Sequence, residues 1–156
     1  MAGFTFSRSL TERIEYIREI QSFLMELENE IHFMGRPLRQ ALLQYSRNRN
    51  TPMAGFSERV YEISGTGDGG IDSAWQKSIE EYKNLWPIDR EEWSLLSQIG
   101  EVLGKTDRAS QSSFMKMMRE KFIVQERKAE EDRKQKEKLY KYLGILGGLA
   151  IVLVLI

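Results

Sequence analysis

The chain of 156 residues contains no cysteine. This absence excludes disulfide bonds, a thiol nucleophile and thiolate metal sites. Histidine occurs once, as His32, and the residue three positions before it is Asn29. A di-iron bundle would need a glutamate there, in a motif repeated on several helices. We therefore expect His32 to be solvated or to cap a helix, and we expect no metal and no other cofactor.

The chain also carries no net charge, because 23 basic residues balance 23 acidic ones. Nucleic-acid-binding domains usually carry a basic patch or stripe, so no nucleic acid is expected as a partner. The three tryptophans occur at spacings typical of a helical core, which also argues against a platform for stacking bases.

Strand patterns are absent too, since Val, Ile and Thr never alternate with polar residues over a useful length. Apolar residues instead recur at intervals of three and four, beginning with positions 10, 14, 17, 20, 24, 27, 31 and 34. These intervals predict an all-α bundle of about five or six helices with a C-terminal transmembrane helix. The predicted bundle helices begin near positions 7, 37, 52, 72, 89 and 107.

Local signals set the predicted helix boundaries. Gly35 suits the left-handed conformation that ends a helix, and Pro37 suits the first turn of the next one. The predicted caps are Ser7 or Ser9 for the first helix, Asp89 with Glu92 in a capping box for the fifth, and Thr106 or Asp107 for the last. The stretch SGTGDGG, from position 64 to 70, is predicted to be the most flexible part of the chain.

The last fourteen residues are all apolar or glycine. A membrane span takes at least about 17 residues, and the segment 139–156 reaches that length if Lys138 and Lys141 extend to the headgroups. A core helix would need a polar face, which this run lacks. We predict a transmembrane helix that contacts membrane lipid, with Tyr140 and Tyr142 at the interface. The flank RKQKEKLYK carries five basic residues and one acidic residue, which predicts a cytosolic soluble part.

Glycine spacing in the tail permits helix association. Gly144 and Gly148 are four positions apart, and Gly147 enlarges the same notch. Small residues at this spacing let membrane helices approach closely, which would support a homo-oligomer or contact with other membrane subunits. The same spacing also arises by chance, so both interpretations remain open.

The stretch 125–138 is charged on all sides, and no apolar seam is visible in it. A helix that is polar all round spans solvent, so we predict a stalk that holds the bundle (7–124) about 20 Å from the bilayer. A partly disordered linker is the alternative.

No catalytic constellation is apparent. The stretch GTGDGG lacks the Lys-Ser/Thr of a phosphate loop, and the paired glutamates at 80–81 and 91–92 are adjacent, so their side chains diverge on a helix. No nucleophile, base and orienting group occur together. We predict that the protein is not an enzyme.

Three features resemble the stage III sporulation protein AB family of endospore-forming bacteria. They are a Pro-Leu pair after a long first helix, the run LLSQIGEVLGKTDRASQ, and the closing segment KLYKYLGILGGLAIVLVLI. The matching positions, which are also our candidates for partner contact, are Pro37, Leu38, Leu96, Gly100, Leu103, Gly104, Asp107 and Gln111. A purely structural role for the Gly100–Gln111 run, in shaping a turn, is the alternative. Asp107 is expected to cap the last helix.

The resemblance implies a role in a multi-protein channel between the mother cell and the developing spore. It implies a location in the mother-cell membrane and a soluble domain similar to that of type II secretion and type IV pilus platform proteins. The implied partners are a hexameric secretion-type ATPase and other membrane subunits of the channel.

Family members usually begin with a further membrane helix, and the short segment 1–6, MAGFTF, resembles the end of one. We interpret this segment as the remnant of such a helix. Two alternatives to a platform subunit follow from the residues alone: a generic tail-anchored adaptor or tether, and a membrane-anchored enzyme.

Overall fold

The structure, a computed structural model, describes residues 2–67, 69–105 and 107–156, with only the backbone for residues 2–8 and 108. This part of the chain folds into six α-helices and contains no strand. The helices are α1 (Ala2–Glu28), α2 (Leu38–Ser46), α3 (Pro52–Thr66), α4 (Gly70–Tyr82), α5 (Arg90–Leu103) and α6 (Arg108–Leu155). The predicted all-α bundle with a long apolar C-terminal helix is confirmed.

Helices α1 and α6 pack against each other in antiparallel orientation, and this is the most extensive helix contact of the fold. Glu28 contacts Ser112, and about four turns earlier on α1 Arg13 contacts Asp132, which lies later on α6. Helices α2 to α5 pack consecutively on one another, and α5 returns to α6. Seven of the eight apolar positions predicted to face inward from α1 are buried, Met34 being the exception.

An aromatic cluster fills the centre of the bundle. Trp75 of α4 is fully buried and its ring meets that of Phe56 edge to face, with ring centroids 5.0 Å apart. Phe56 also contacts Tyr82 and Trp86. The indole N–H of Trp75 donates to the carbonyl oxygen of Leu96 at 2.7 Å, which satisfies its polar atom inside the core.

A buried charge on α1, that of Arg13, is paired with charges on other helices. Nε of Arg13 donates to Glu92 of α5 at 2.6 Å, and Glu92 has no exposed surface. Burial alone would lower the pKa of Arg13, but the hydrogen bond and charge of Glu92, with Asp89 and Asp132, raise it. Arg13 therefore stays charged and joins α1, α5 and α6 at one point.

Several predicted boundaries differ from those observed. Helix α1 begins at Ala2 and passes through Ser7 and Ser9, so neither caps it. The stretch predicted to be flexible is largely helical, because α3 continues to Thr66 and α4 begins at Gly70. Gly35 does adopt a positive φ of 68°, and the N–H of Arg36 bonds the carbonyl of Glu30 at 2.9 Å, which closes the predicted left-handed end. Pro37 precedes α2 as its N-cap.

The predicted capping box at α5 is wrong. Asp89 is at the N-cap position, but its side chain makes no capping hydrogen bond. Glu92 does not return to the helix start because Arg13, 79 positions away, binds its carboxylate inside the bundle. The cap predicted for α6 is confirmed, since Asp107 Oδ1 accepts from the N–H of Ser110 at 2.8 Å. Thr106, the alternative cap, lies outside the described residues.

The prediction that the whole stretch 125–138 is free of the bundle is wrong for its first turns. Ala129 is fully buried and Gln125 nearly so. Arg18 of α1 donates to Glu126 at 2.8 Å and to Glu130 at 2.9 Å. The first two turns therefore pack on α1, through a seam of alanine and glutamine rather than large apolar residues. About seven residues, or roughly 10 Å, separate Asp132 from residue 139.

We expect Glu92→Leu to lower the free energy of unfolding by about 3 kcal/mol, because it leaves the Arg13 guanidinium buried without its closest partner. The double variant Arg13→Met/Glu92→Leu removes both charges and should recover most of that loss. The measurement is urea unfolding of the full chain in detergent, followed by tryptophan fluorescence. Arg59→Met, which removes an exposed pair with Glu81, is the control and should change little. Equal losses in the single and double variants would contradict a coupled buried pair.

Candidate interaction surfaces

The sequence motif of α5 builds the core rather than a surface. Leu96 is fully buried, and Leu103 is nearly so. A Cβ placed on Gly100 would lie 2.2 Å from Cδ1 of Trp75, which is far inside a normal contact. The absence of a side chain at Gly100 therefore lets the indole of Trp75 pack directly on the α5 backbone and reach the carbonyl of Leu96.

The rest of the motif closes the turn between α5 and α6. The N–H of Gly104 bonds the carbonyl of Gly100 at 3.4 Å, and Nε2 of Gln111 bonds the carbonyl of Leu103 at 2.8 Å. The hydrogen bonds from Ser110 hold the pKa of the Asp107 carboxyl below its usual range, so the cap is charged at neutral pH. These contacts support the structural alternative for this run.

Exposure divides the candidate partner contacts into two groups. Gln111 is buried with Leu96, Gly100 and Leu103, so these side chains offer little surface to another protein. Gly104 and Asp107 are exposed in the turn. At the other candidate position, Pro37 is exposed, and Leu38 packs partly against the core.

The apolar tail is the exposed end of α6. An 18-residue window in this helix has a mean hydropathy of 1.7 and no buried residue, so it is long and apolar enough to cross a membrane. A Cβ on Gly144, Gly147 or Gly148 would meet no other atom within 4 Å. The notch on this helix is therefore unfilled within the described residues. The interfacial candidates Tyr140 and Tyr142 are exposed, as are Lys138 and Lys141.

A further surface, which the sequence analysis did not single out, is a groove between α1 and α6. It consists of two adjoining depressions of about 520 and 420 Å³ that share Met25, Lys116 and Arg119. We call this surface the α1–α6 groove; its apolar members are Met25, Phe33 and Ile123. Phe33 is 73% exposed, which is unusual for a residue of this type.

The helix widens at Phe33, the most exposed of the groove's apolar residues. Residues Asn29–Phe33 form a π-helical turn, and the N–H of Met34 bonds the carbonyl of Asn29 at 3.1 Å. This wider turn carries one extra residue, so the positions after Ile31 leave the buried face of α1. The regular apolar spacing predicted that Met34 would face inward, but after the wider turn it is 61% exposed.

A buried carboxylate fixes the floor of the groove. Glu28 accepts from the hydroxyl of Ser112 at 2.9 Å and from Nη2 of Arg119 at 3.1 Å. Lys116 is more distant from it, at 3.9 Å, and its side chain is 64% exposed. The groove thus presents apolar side chains beside charged ones, among them the well-exposed cations Lys116 and Arg18.

A family model described as stage III sporulation protein AB matches residues 1–156. The chain belongs to this family. A curated member, stage III sporulation protein AB of Bacillus subtilis (strain 168), is 30% identical over 153 residues, which cover 98% of this chain and 90% of that protein.

A solved structure, titled stage III sporulation protein AB (SpoIIIAB), has the same fold. It aligns with a TM-score of 0.72 and 27% sequence identity over 80% of this chain and 98% of that one. The resemblance inferred from the Pro-Leu pair, the Gly100–Gln111 run and the closing segment is therefore confirmed, and the protein is a sporulation protein.

We expect Gly100→Ala to lower the free energy of unfolding by about 1–3 kcal/mol, because the added methyl group must displace Trp75. Thermal unfolding of the full chain in detergent, followed by far-UV circular dichroism, measures this. Gly55→Ala in α3 is the matched control, since its Cβ would meet only the Tyr82 hydroxyl at 3.5 Å. Alanine favours a helix over glycine, so the control should be neutral or stabilising. A destabilisation shared equally by both variants would assign the cost to something other than the Trp75 contact.

Proposed function

We propose that this protein is a non-enzymatic, membrane-anchored platform subunit of the channel between mother cell and forespore. It holds cytosolic and membrane partners together at the mother-cell membrane. The observation that carries the proposal is that one uninterrupted helix, α6, forms both part of the bundle core and the apolar segment. The likeness to secretion platform proteins, which the sequence resemblance implies, fits the same role.

The continuity of α6 matters because it joins the two parts without a hinge. Met118, Phe122 and Ala129 are fully buried in the bundle, and the same helix is exposed and apolar from residue 143. The described helix contains no proline, and its glycines occur only in the apolar segment. A partner that binds the bundle is therefore rigidly linked to whatever binds the anchor.

The basic flank supports a cytosolic location for the bundle. Residues 133–141 carry five basic side chains and one acidic one, and such flanks stay on the cytoplasmic side of a membrane. The bundle then faces the mother-cell cytosol, where a secretion-type ATPase would be accessible.

The α1–α6 groove is our candidate for the ATPase contact. Lys116 lies 22 residues before Lys138 on one helix, so the groove is about 33 Å further from the bilayer than the basic flank. Its exposed aromatic and methionine side chains are typical of the centre of a protein interface. Channel subunits in the membrane would instead meet the tail.

The first test is co-purification of the full chain, in detergent, with the hexameric secretion-type ATPase that accompanies this family. We expect stable association, and we expect Phe33→Asp to reduce the retained ATPase by about tenfold, since it replaces the groove's most exposed apolar side chain with a charge. Leu85→Asp is the control, because Leu85 is 71% exposed outside the groove. If the folded wild-type chain retains no ATPase, the proposed platform role is contradicted, and a generic tail-anchored adaptor or tether becomes the better description.

A second test addresses the anchor. Replacing Gly144 and Gly148 with leucine fills the notch, so crosslinking of the chain to itself or to other channel subunits in membranes should fall several-fold. The bundle should stay folded, because neither glycine contacts it. Leu149→Ile and Leu153→Ile together serve as a control that leaves the notch open. Unchanged crosslinking in the glycine variant would mean that the spacing is compositional.

A further inference from the structure

Three lysines form one face of α6 just before its apolar segment. Lys134, Lys138 and Lys141 follow at intervals of four and three, which places them on the same side of a helix. Together with Glu137 they line one shallow depression on the surface. We call this surface the lysine face.

The charges of the lysine face are not neutralised by the protein. Glu137 is the only acidic residue from position 133 to the end of the chain, and it faces Arg133, with 3.9 Å between Oε1 and Nε. Among the described residues, no salt bridge involves Lys134, Lys138 or Lys141. Three cations therefore share one side of the helix, and Glu137, the acid that lines the same depression, has a cation of its own. Glu130, one turn before Lys134, is bound by Arg18.

The position of the lysine face along the helix indicates which anions it can reach. Lys134 lies nine residues, or about 13 Å, before the uninterrupted apolar run, and Lys141 lies two residues before it. Leu139, Tyr140 and Tyr142 are exposed between and beside the lysines. Lysine side chains at such a boundary direct their ammonium groups to the headgroup layer, where phosphates are the available anions.

We propose that Lys134, Lys138 and Lys141 bind the phosphates of anionic lipid headgroups and give this protein a preference for anionic membrane. The site rests on the membrane anchorage proposed above, but not on the platform role. It adds a lipid specificity to the anchor, which the apolar segment alone would not provide, because hydrocarbon does not distinguish headgroups.

The test uses the full chain released from bilayers of equal phosphatidylglycerol and phosphatidylcholine, with retained lipids counted by native mass spectrometry. The wild-type chain should retain phosphatidylglycerol preferentially. A lysine near an anionic surface favours binding by about fivefold, so Lys134→Gln/Lys138→Gln/Lys141→Gln should reduce the preference by up to the order of 100-fold. The preference should also weaken as salt is raised.

Two variants sharpen the result. Lys77→Gln/Lys83→Gln/Lys105→Gln makes the same change in charge on the bundle and should leave lipid preference intact. Glu137→Gln removes the acid that lines the lysine face and releases Arg133. This variant should therefore increase the preference for phosphatidylglycerol. A lysine-face variant that keeps the wild-type preference, or a bundle variant that loses it equally, would overturn the proposal.

Two further readouts separate this proposal from its alternatives. Carbonate extraction measures whether the chain is inserted in the membrane, and every variant should resist extraction. If the wild-type chain is extracted, the membrane anchor is wrong, and the lipid site is wrong with it. Inorganic phosphate at matched ionic strength should not release the retained lipid. Release would identify a site for free phosphate and overturn the lipid assignment.

Discussion

The antiparallel contact of α1 with α6 is the constraint on which the rest of the molecule depends. A polar cluster holds each end of it: Glu28 with Ser112 and Arg119 at one end, and Arg13 with Glu92 and Asp132 at the other. A slip of one turn would leave the buried charges unpaired, which is costly. The register of the two helices is therefore fixed, and with it the length of α6 between the bundle and the apolar segment.

Much of the fold could be predicted from local patterns. The period of the apolar residues in α1 identified its buried face, and Gly35 and Asp107 marked helix ends through conformations and hydrogen bonds that involve close neighbours. The predictions that failed involve distant partners. Glu92 has a local partner within reach at the start of α5, but Arg13 binds it instead, and nothing near Glu92 in the sequence announces this.

The packed part of 125–138 was missed for a related reason. A search for apolar periodicity does not count Gln125 or Ala129 as a seam, although both fit where two helices approach closely. The polar partners Arg13 and Arg18 lie within the predicted first helix, but no apolar period marks them as contacts of this stretch.

The candidate site shows the same division. The motif positions were recognisable, but the reason for Gly100 is an indole 25 positions earlier in the chain, so its role needed the tertiary structure. The α1–α6 groove escaped notice because Phe33 falls outside the apolar period of the first helix, and no residue pattern signalled the π-helical turn that carries it. Only the apolar tail and its lysines could be read directly, since these side chains are exposed and do not depend on how the bundle packs.

The unbroken course of α6 also has a rotational consequence. Successive residues on a helix differ by about 100° around its axis, so Lys116 in the groove and Gly144 in the tail, 28 positions apart, differ by roughly 80°. A neighbour packed against the glycines would thus fix the rotation of the subunit about the α6 axis, and with it the direction in which the groove faces. In a ring of such subunits, every groove would point the same way relative to the ring axis, and a symmetric cytosolic partner would meet them all in equivalent orientation.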